Sequence, residues 1–539
     1  MNPPVRLVLR IAILAVCLLS FGLRFATLLF DFPPGIDWSG DLYSDEGWYA
    51  QGAINQHISG QWYVAGDYNT IINVPVFHLV QAFSFHLLGM SLAVARVTAV
   101  TGMLMLVVIA YWLVQRACGE RAALAAALLL SANFYLFAYS KLAILELPML
   151  ALVLLCMLLA LALPRLNAGP AALLGMLYGL ALLTKTTASF ALPALLFLVW
   201  LKPGTIRRKA LACAGFLAGI GLLYGSYFLW ANHFYPQDYA YFNDEFLTPR
   251  VTWTVGYLSY TAGRIVWNGK LVDALVYPLT VLLVPLGLVL LRRFRTNPLV
   301  LAVLLCLAGY FVILMTRGYL PPRYYQPIAV LVMLLLGILL GQLWQRSEEL
   351  ALPAALSLRR AALSLRGAPR RSNLNFVSPT PANSADLPTP FLREALPHTL
   401  ITPARVSSLA VLLLALACAW GFGQQVNYAL TPKFTYINMV HDTQQRMTAS
   451  GVKQPLIMGW IAHNISLETG VPALNSKYGT RDIAWKMQTY HPNFYISLGP
   501  ETPERDQIEA AGGQLELLAT YDVLGNYYGG RPVYFYRLK

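Results

Sequence analysis

Apolar runs of about 20 residues recur from Leu7 to about Val426, and a chain built that way cannot fold as a water-soluble globule. Only 12% of the 539 residues are charged, about half the usual share, so the runs belong to a helical membrane body. An outer-membrane barrel is excluded, because its strands alternate polar and apolar residues and these runs are continuous. The net charge of +14 does not imply a nucleic-acid partner: the basic residues form short clusters between apolar runs, where orientation signals lie. The six cysteines (Cys17, Cys118, Cys156, Cys213, Cys306 and Cys418) fall within or beside apolar segments, which leaves no disulfide framework and no CxxC metal site.

The first run, about Leu7 to Phe30, follows Arg6 and Arg10 and is too long for a signal-peptide core, so it reads as a retained signal anchor. Orientation follows from the basic loops. Arg6/Arg10, Arg116/Arg121, Arg165, Lys202 to Lys209, Arg292 to Arg295 and Arg346 to Arg405 are expected in the cytoplasm. Between Asp31 and Met90 there is no Lys or Arg but six acids (Asp31, Asp37, Asp41, Asp45, Glu46, Asp67), and this loop is expected outside. Val74 to Leu88 is apolar but only about 15 residues long and carries His78, Gln81, Ser84 and His86, so it is expected to lie in the outer interface. Eleven spans remain, near residues 7–30, 91–114, 121–139, 143–163, 170–184, 187–201, 209–230, 274–291, 298–316, 324–344 and 406–428.

Three other pieces complete the expected organisation. Residues 346–405, rich in Arg, Ser, Pro and Ala, read as a largely disordered cytoplasmic linker. Asn232 to Asp273 is an outer loop dense in aromatic residues, suited to the interface. From about Thr431 to Lys539 the composition becomes soluble, with short strands expected at 455–461, 493–498 and 531–538 and a helix at 504–512. The fold class is thus an all-α polytopic membrane protein of about 11 transmembrane helices, with residues 1–345 as its main body and a small C-terminal α/β soluble domain at 431–539 on the outer face. GxGxxG and GxxxxGK[ST] are absent from that domain, so nucleotide binding has no support.

The outer junctions carry the candidate chemistry. Ser44-Asp45-Glu46-Gly47-Trp48-Tyr49 opens a helix in the first loop, where acids are also ordinary caps. Glu146 stands at the outer junction of spans three and four, where an ionisable group is costly and points to function; pairing with Lys141 is its bland alternative. Lys185 ends a short span, from which a lysine can also snorkel. Arg323 begins span ten on the side where positive charge is disfavoured, so a phosphate or an outer-loop acid must hold it there. Carboxylates beside cations at membrane depth suit a reaction in which one group loses a proton and another leaves as a phosphate. Nucleotide sugars are cytosolic, so a donor reaching this face is expected to be borne by lipid.

Asp45-Glu46 in a long first outer loop, an interfacial helix opening Val74-Pro75-Val76-Phe77, the segment Tyr139 to Pro148, the Leu183-Thr-Lys185 step and Pro322-Arg-Tyr324 occur in the order seen in the integral-membrane GT-C glycosyltransferases. Over roughly residues 1–345 the chain resembles the family of protein O-mannosyltransferases and lipid A aminoarabinose transferases. Tyr521-Asp-Val-Leu-Gly-Asn-Tyr-Tyr-Gly-Gly530 resembles the tail of bacterial members with an outer soluble domain. The resemblance implies Asp45 as the catalytic residue of the acidic loop with Glu46 in support, Glu146 at the second acidic position, and Lys185, Arg323, Tyr324 and Lys141 toward the donor phosphate. It implies an inverting transfer of one sugar from a polyprenyl-phosphate donor to a hydroxyl of a lipid, glycan or protein acceptor, outside a bacterial cytoplasmic (inner) membrane. A divalent cation is neither required nor excluded. Where many relatives have Lys-Pro-Pro, this chain has Asn73-Val74-Pro75, so the donor contact of that lysine is missing or made elsewhere. A transporter or flippase of lipid-linked saccharides is the rival class, although no repeat between the halves supports it.

Overall fold

The computed structural model of the protein describes residues 3–247, 254–268, 276–317, 320–345, 403–524 and 532–539. The expected linker, apart from its last three residues, and most of the 521–530 motif lie outside these. α1 (Pro3–Ala26) leads into a loop carrying α2 (Asp45–Ser59) and α3 (Pro75–Leu88). Then follow α4 (Leu92–Cys118), α5 (Glu120–Ala132), α6 (Phe134–Ser140), α7 (Glu146–Ala162), α8 (Ala168–Thr184) and α9 (Leu192–Trp200). α10 (Ile206–Ile220) runs through a π turn into α11 (Ser226–Phe234), ahead of α12 (Pro236–Phe242), α13 (Val255–Asn268), α14 (Val276–Leu290) and α15 (Arg292–Arg295). α16 (Pro298–Met315), α17 (Pro322–Gln345) and α18 (Pro403–Leu430) complete the membrane body.

Each of the eleven expected span positions is occupied by helix among the described residues. Among the described residues five helices are long and apolar enough to cross a membrane unaided, and the α5–α6 pair, bent by 63°, makes a sixth. That bend departs from the single straight span expected over 121–139. Its cause is local: the Asn133 side chain accepts from the Leu136 amide at 2.9 Å and starts a new helix inside the apolar run. The carbonyls of Ser131 and Ala132 at the break accept from Gln425 of α18 at 3.0 and 2.9 Å, and Ser131 accepts again from Arg24 of α1 at 3.1 Å. Elsewhere small residues bring helices together. A side chain on Gly215 or Gly219 of α10 would run into the backbone of Ala168 or Ala172 in α8, the close approach that a small-xxx-small pattern permits.

α3 is 14 residues long, too short to span. It buries His78 and Gln81 and exposes Leu79, Val80, Phe83, Leu87 and Leu88, an apolar outer face suited to an acyl environment. Burial pushes the His78 imidazole down to about 3.

The C-terminal domain holds α19 (Thr435–Ala449), α20 (Ala462–Thr469), α21 (Ile483–Tyr490), α22 (Pro503–Ala510) and five strands: β1 (Ile457–Gly459), β2 (Ala473–Leu474), β3 (Phe494–Leu498), β4 (Leu515–Tyr521) and β5 (Val533–Leu538). The sheet order is β2-β1-β3-β5-β4, with β1 parallel to both neighbours and β5 antiparallel to β3 and β4. The strands expected from sequence are β1, β3 and β5. β2 has only two residues and β4 is a half-exposed edge, so neither has a run that sequence patterning detects.

This domain packs back on the first loop. Asp31 accepts from the Thr435 amide (3.0 Å) and hydroxyl (2.6 Å) and from the Tyr436 amide (3.0 Å) at the start of α19. Glu468 of α20 accepts from the Leu92 amide at the start of α4 at 2.8 Å. The domain and the first loop therefore share one side of the membrane. In a cysteine-free background, Gln514→Cys is expected to react with an impermeant maleimide on intact cells and Arg207→Cys only after permeabilisation, both positions being exposed. The reverse pattern would overturn the orientation read from the basic loops.

Candidate active site

Three breaks between helices bring the site together. α2 starts at Asp45 and places two acids in its first turn, where the helix dipole favours them. α17 starts with a 3-10 turn, Pro322–Tyr325, led by a proline in the first-turn position that suits it. This puts the cationic Arg323 at the wrong end of a helix dipole, so its stability there depends on acids from elsewhere. They are supplied: Arg323 forms an ion pair with Asp45, and its Nε lies 3.4 Å from Asp41. Lys185 is the extended residue between α8 and the turn 186–191, and it pairs with Glu146, the first residue of α7. Glu146 therefore pairs with Lys185 and not with Lys141.

The two pairs adjoin one another. The Lys185 ammonium lies 5.3 Å from the centre of the Tyr324 ring and 5.9 Å from that of Tyr49, and the Arg323 guanidinium lies 5.3 Å from Tyr324. Lys185, Arg323 and Tyr324 line a cavity of about 110 Å³ with Arg317 and Tyr310, against an aromatic wall of Trp48, Tyr68 and Phe242. Asn73 is also in the lining. Asp37 lies nearby in the same loop, accepting from the Tyr139 hydroxyl and the Ser39 amide at 2.5 and 2.7 Å; burial pushes its carboxyl up, against the pull of those bonds.

Two candidates lie apart from the cavity. Glu46, one residue from Asp45, points to the other side of α2 and accepts two bonds from Arg96 of α4, at 2.8 and 2.6 Å, and one from the Ala143 amide at 2.9 Å. Such a forked pair ties the first loop to α4 and to the α6–α7 turn. Lys141 is buried, donating to the Thr27 carbonyl at 3.3 Å and the Tyr428 hydroxyl at 2.6 Å, with its ammonium 3.9 Å from the Tyr428 ring centre. Arg317, Asp41, Tyr49 and Tyr310 join the site without being singled out by the sequence. Arg317 carries the same signal as Arg323, a cation at the outer end of a span, and Asp41 stands among the six acids of the loop; nothing local marks the two tyrosines. Among the described residues, no three His, Cys, Asp or Glu side chains converge as metal ligands.

Residues 73–227 match the family described as Dolichyl-phosphate-mannose-protein mannosyltransferase. Two solved structures of ArnT from Cupriavidus metallidurans superimpose on the chain at 16% identity. The one bound to undecaprenyl phosphate covers 97% of each chain with a TM-score of 0.56, and the apo form covers 98% of each with 0.57. The chain has the GT-C fold and resembles the protein O-mannosyltransferases and ArnT. No curated protein matches it by sequence. Within the GT-C fold, Asp45 and Glu46 open α2 in the first loop, Glu146 opens α7, and the C-terminal domain packs against the first loop.

Glu46 and Arg96 are nearly inaccessible, and removing one charge leaves the other buried and uncompensated. Glu46→Gln is expected to destabilise the fold by about 3–5 kcal/mol, read as a lower melting temperature, while the rate per folded molecule stays near the parental one. A stable but inactive Glu46→Gln protein would return Glu46 to the chemistry.

Proposed function

We propose that the protein is an inverting glycosyltransferase that moves one sugar from a polyprenyl-phosphate donor to a hydroxyl acceptor at the outer face of the cytoplasmic membrane. The observation that carries this reading is the pairing of Asp45 with Arg323 beside a cavity that also holds Lys185, Arg317 and Tyr324. A bound phosphate would engage the same guanidinium that holds the carboxylate, so donor binding frees a carboxylate oxygen where the acceptor must approach. The match to a mannosyltransferase family over 73–227 and the fold shared with an undecaprenyl-phosphate-bound ArnT support the donor class.

In the proposed reaction the acceptor oxygen forms a bond to the anomeric carbon as the bond from that carbon to the phosphate oxygen breaks. The electron pair leaves with the lipid phosphate, and Asp45 takes the acceptor proton. A positioned base of this kind is typically worth 10²- to 10⁴-fold. Arg323 and Lys185 stabilise the charge that develops on the departing phosphate. Glu146 holds the Lys185 ammonium toward the cavity; it is assigned no proton transfer. Trp48, Tyr68 and Phe242, which line the same cavity as the cations, offer flat apolar faces to the sugar ring.

Purified protein given a radiolabelled polyprenyl-phosphate sugar and acceptor is expected to release free polyprenyl phosphate. Asp45→Asn is expected to fold normally and lose turnover by at least about 10²-fold; parental turnover would return Asp45 to a structural role. Arg323→Lys keeps the charge but loses the planar fork, so single-turnover rates at saturating donor should fall. An unchanged rate in well-folded Arg323→Lys protein would remove Arg323 from the site, and transport of an intact donor without bond cleavage would favour the flippase class.

A further inference from the structure

α2 lacks the cap its own sequence offers. Ser44 stands in the N-cap position, but its side chain makes no capping hydrogen bond. The first-turn N–H groups of any helix need an acceptor from outside it. Here that acceptor comes from more than four hundred residues away: the Gly47 amide donates to Oδ1 of Asn464 at 2.5 Å. Asn464 lies in the first turn of α20 and is fully buried. A side chain at position 47 would collide with the backbone of His463 and Asn464, so glycine is what lets α20 approach this closely. One residue on, the Trp48 indole N–H donates to the Trp460 carbonyl at 3.0 Å, just before α20.

A second attachment lies one turn further along. Gln51 of α2 donates to Oδ2 of Asp67 at 3.2 Å, while Oδ1 of Asp67 accepts from the Asn475 amide at 2.9 Å and from Lys486 of α21 at 3.2 Å. His463 stands 3.5 Å from the same carboxylate. Burial would raise the Asp67 carboxyl, but Lys486 and His463 outweigh it and hold it below the usual carboxylate range. The opening turns of α2, from Gly47 to Gln51, are therefore fixed by the C-terminal domain, while Asp45, two residues before the capped amide, faces Arg323.

We propose that the C-terminal domain is a positioning element for the acceptor-activating carboxylate, with Asn464 capping α2 in place of Ser44. The inference rests on the reading of Asp45 as the base. Asn464 touches no substrate; it acts by keeping the first turn of α2 wound, so that Asp45 stays against Arg323, which lines the cavity. A cap of this kind controls whether a helix end frays, and a frayed first turn would let Asp45 swing away from an acceptor it must meet within hydrogen-bond reach. Binding of the donor phosphate, which the proposed reading gives to Lys185 and Arg323 on other elements, should not depend on it, and Trp48 keeps its own anchor on the Trp460 carbonyl.

The test uses the purified full-length protein in nanodiscs, with polyprenyl-phosphate sugar as donor. Asn464→Leu keeps the side-chain volume and removes the acceptor. It is expected to lower kcat about tenfold, equivalent to about 1.4 kcal/mol, with the donor KM and the melting temperature near the parental values. Hydrogen exchange at the Gly47 amide should accelerate in the same protein. Asn464→Asp restores an acceptor and adds a charge that the helix N-terminus favours, so it should recover kcat and slow exchange. Parental kcat in Asn464→Leu beside an inactive Asp45→Asn protein overturns this inference alone. Unchanged exchange at Gly47, or a fall in kcat that comes with a lower melting temperature, overturns it too. Parental turnover in Asp45→Asn overturns the reading on which it rests.

Discussion

Asp45, Glu46 and Glu146 are each held by a cation from another segment, and the rest of the architecture depends on that pairing. A charge at the edge of a bilayer is costly unless it is compensated. Glu46 meets Arg96 of α4, Glu146 meets Lys185 from the α8 junction, and Asp45 meets Arg323 at the start of α17. Each pair joins elements far apart in the chain, so neutralising the charges also sets where the loops and spans lie relative to one another. The pairs differ in what they leave open. Glu46 and Arg96 meet in a forked geometry, with further bonds from the Ala143 amide to Glu46 and from Arg96 to the Leu28 carbonyl, which suits a fixed joint. Arg323 and Lys185 instead line a cavity, where an incoming anion can compete for them.

The same contrast explains how much of the site could be read from the sequence. Hydropathy and basic loops are local signals, and they located the eleven helical positions and the short α3. Charges that violate a local rule were also visible: Glu146 beside an apolar span and Arg323 at the outer end of one. Which partner relieves each violation was not visible, because pairing is long-range and depends on packing. Lys141 stands five residues before Glu146 and was the natural partner on the page of sequence, yet the turn between α6 and α7 directs it to Tyr428 of α18. Arg96, within a run that is otherwise suitable for crossing, gave no sign that it holds Glu46.

The C-terminal domain shows the same limit on a larger scale. Its strands β1, β3 and β5 follow from composition, but nothing in residues 431–539 announces that α20 and α21 will be fastened to the first loop. The information sits in single residues whose meaning appears only in contact. Gly47 reads as a poor helix former in the first turn of α2, and in the fold it is the position that admits α20. Asp67 reads as one more acid in an acidic loop, and in the fold it is the buried counter-charge of Lys486.

Arg24, like Lys141, is a buried cation held without an acid, and it shows what the cations of the cavity lack. Arg24 of α1 is fully buried with no carboxylate among its bonding partners, yet its guanidinium is engaged on each side: Nε donates to Ser140, one terminal nitrogen to the carbonyl and hydroxyl of Ser20, and the other to the Ser131 carbonyl. Two aromatic faces, Phe21 and Phe137, lie 4.9 and 5.1 Å from it. The Ser131 carbonyl is free to accept because α5 and α6 break at Asn133. Arg24 is therefore satisfied by dipoles alone, with four of its five N–H groups spent in a joint between α1 and the bend. Arg323 stands at a helix start, where the local dipoles repel a cation, and only full negative charges can hold it. A full charge can be contested by a phosphate, whereas a set of surrounding carbonyls and hydroxyls cannot be displaced as a unit. The difference between Arg24 and Arg323 thus lies in the kind of partner and not in burial, since both are removed from water.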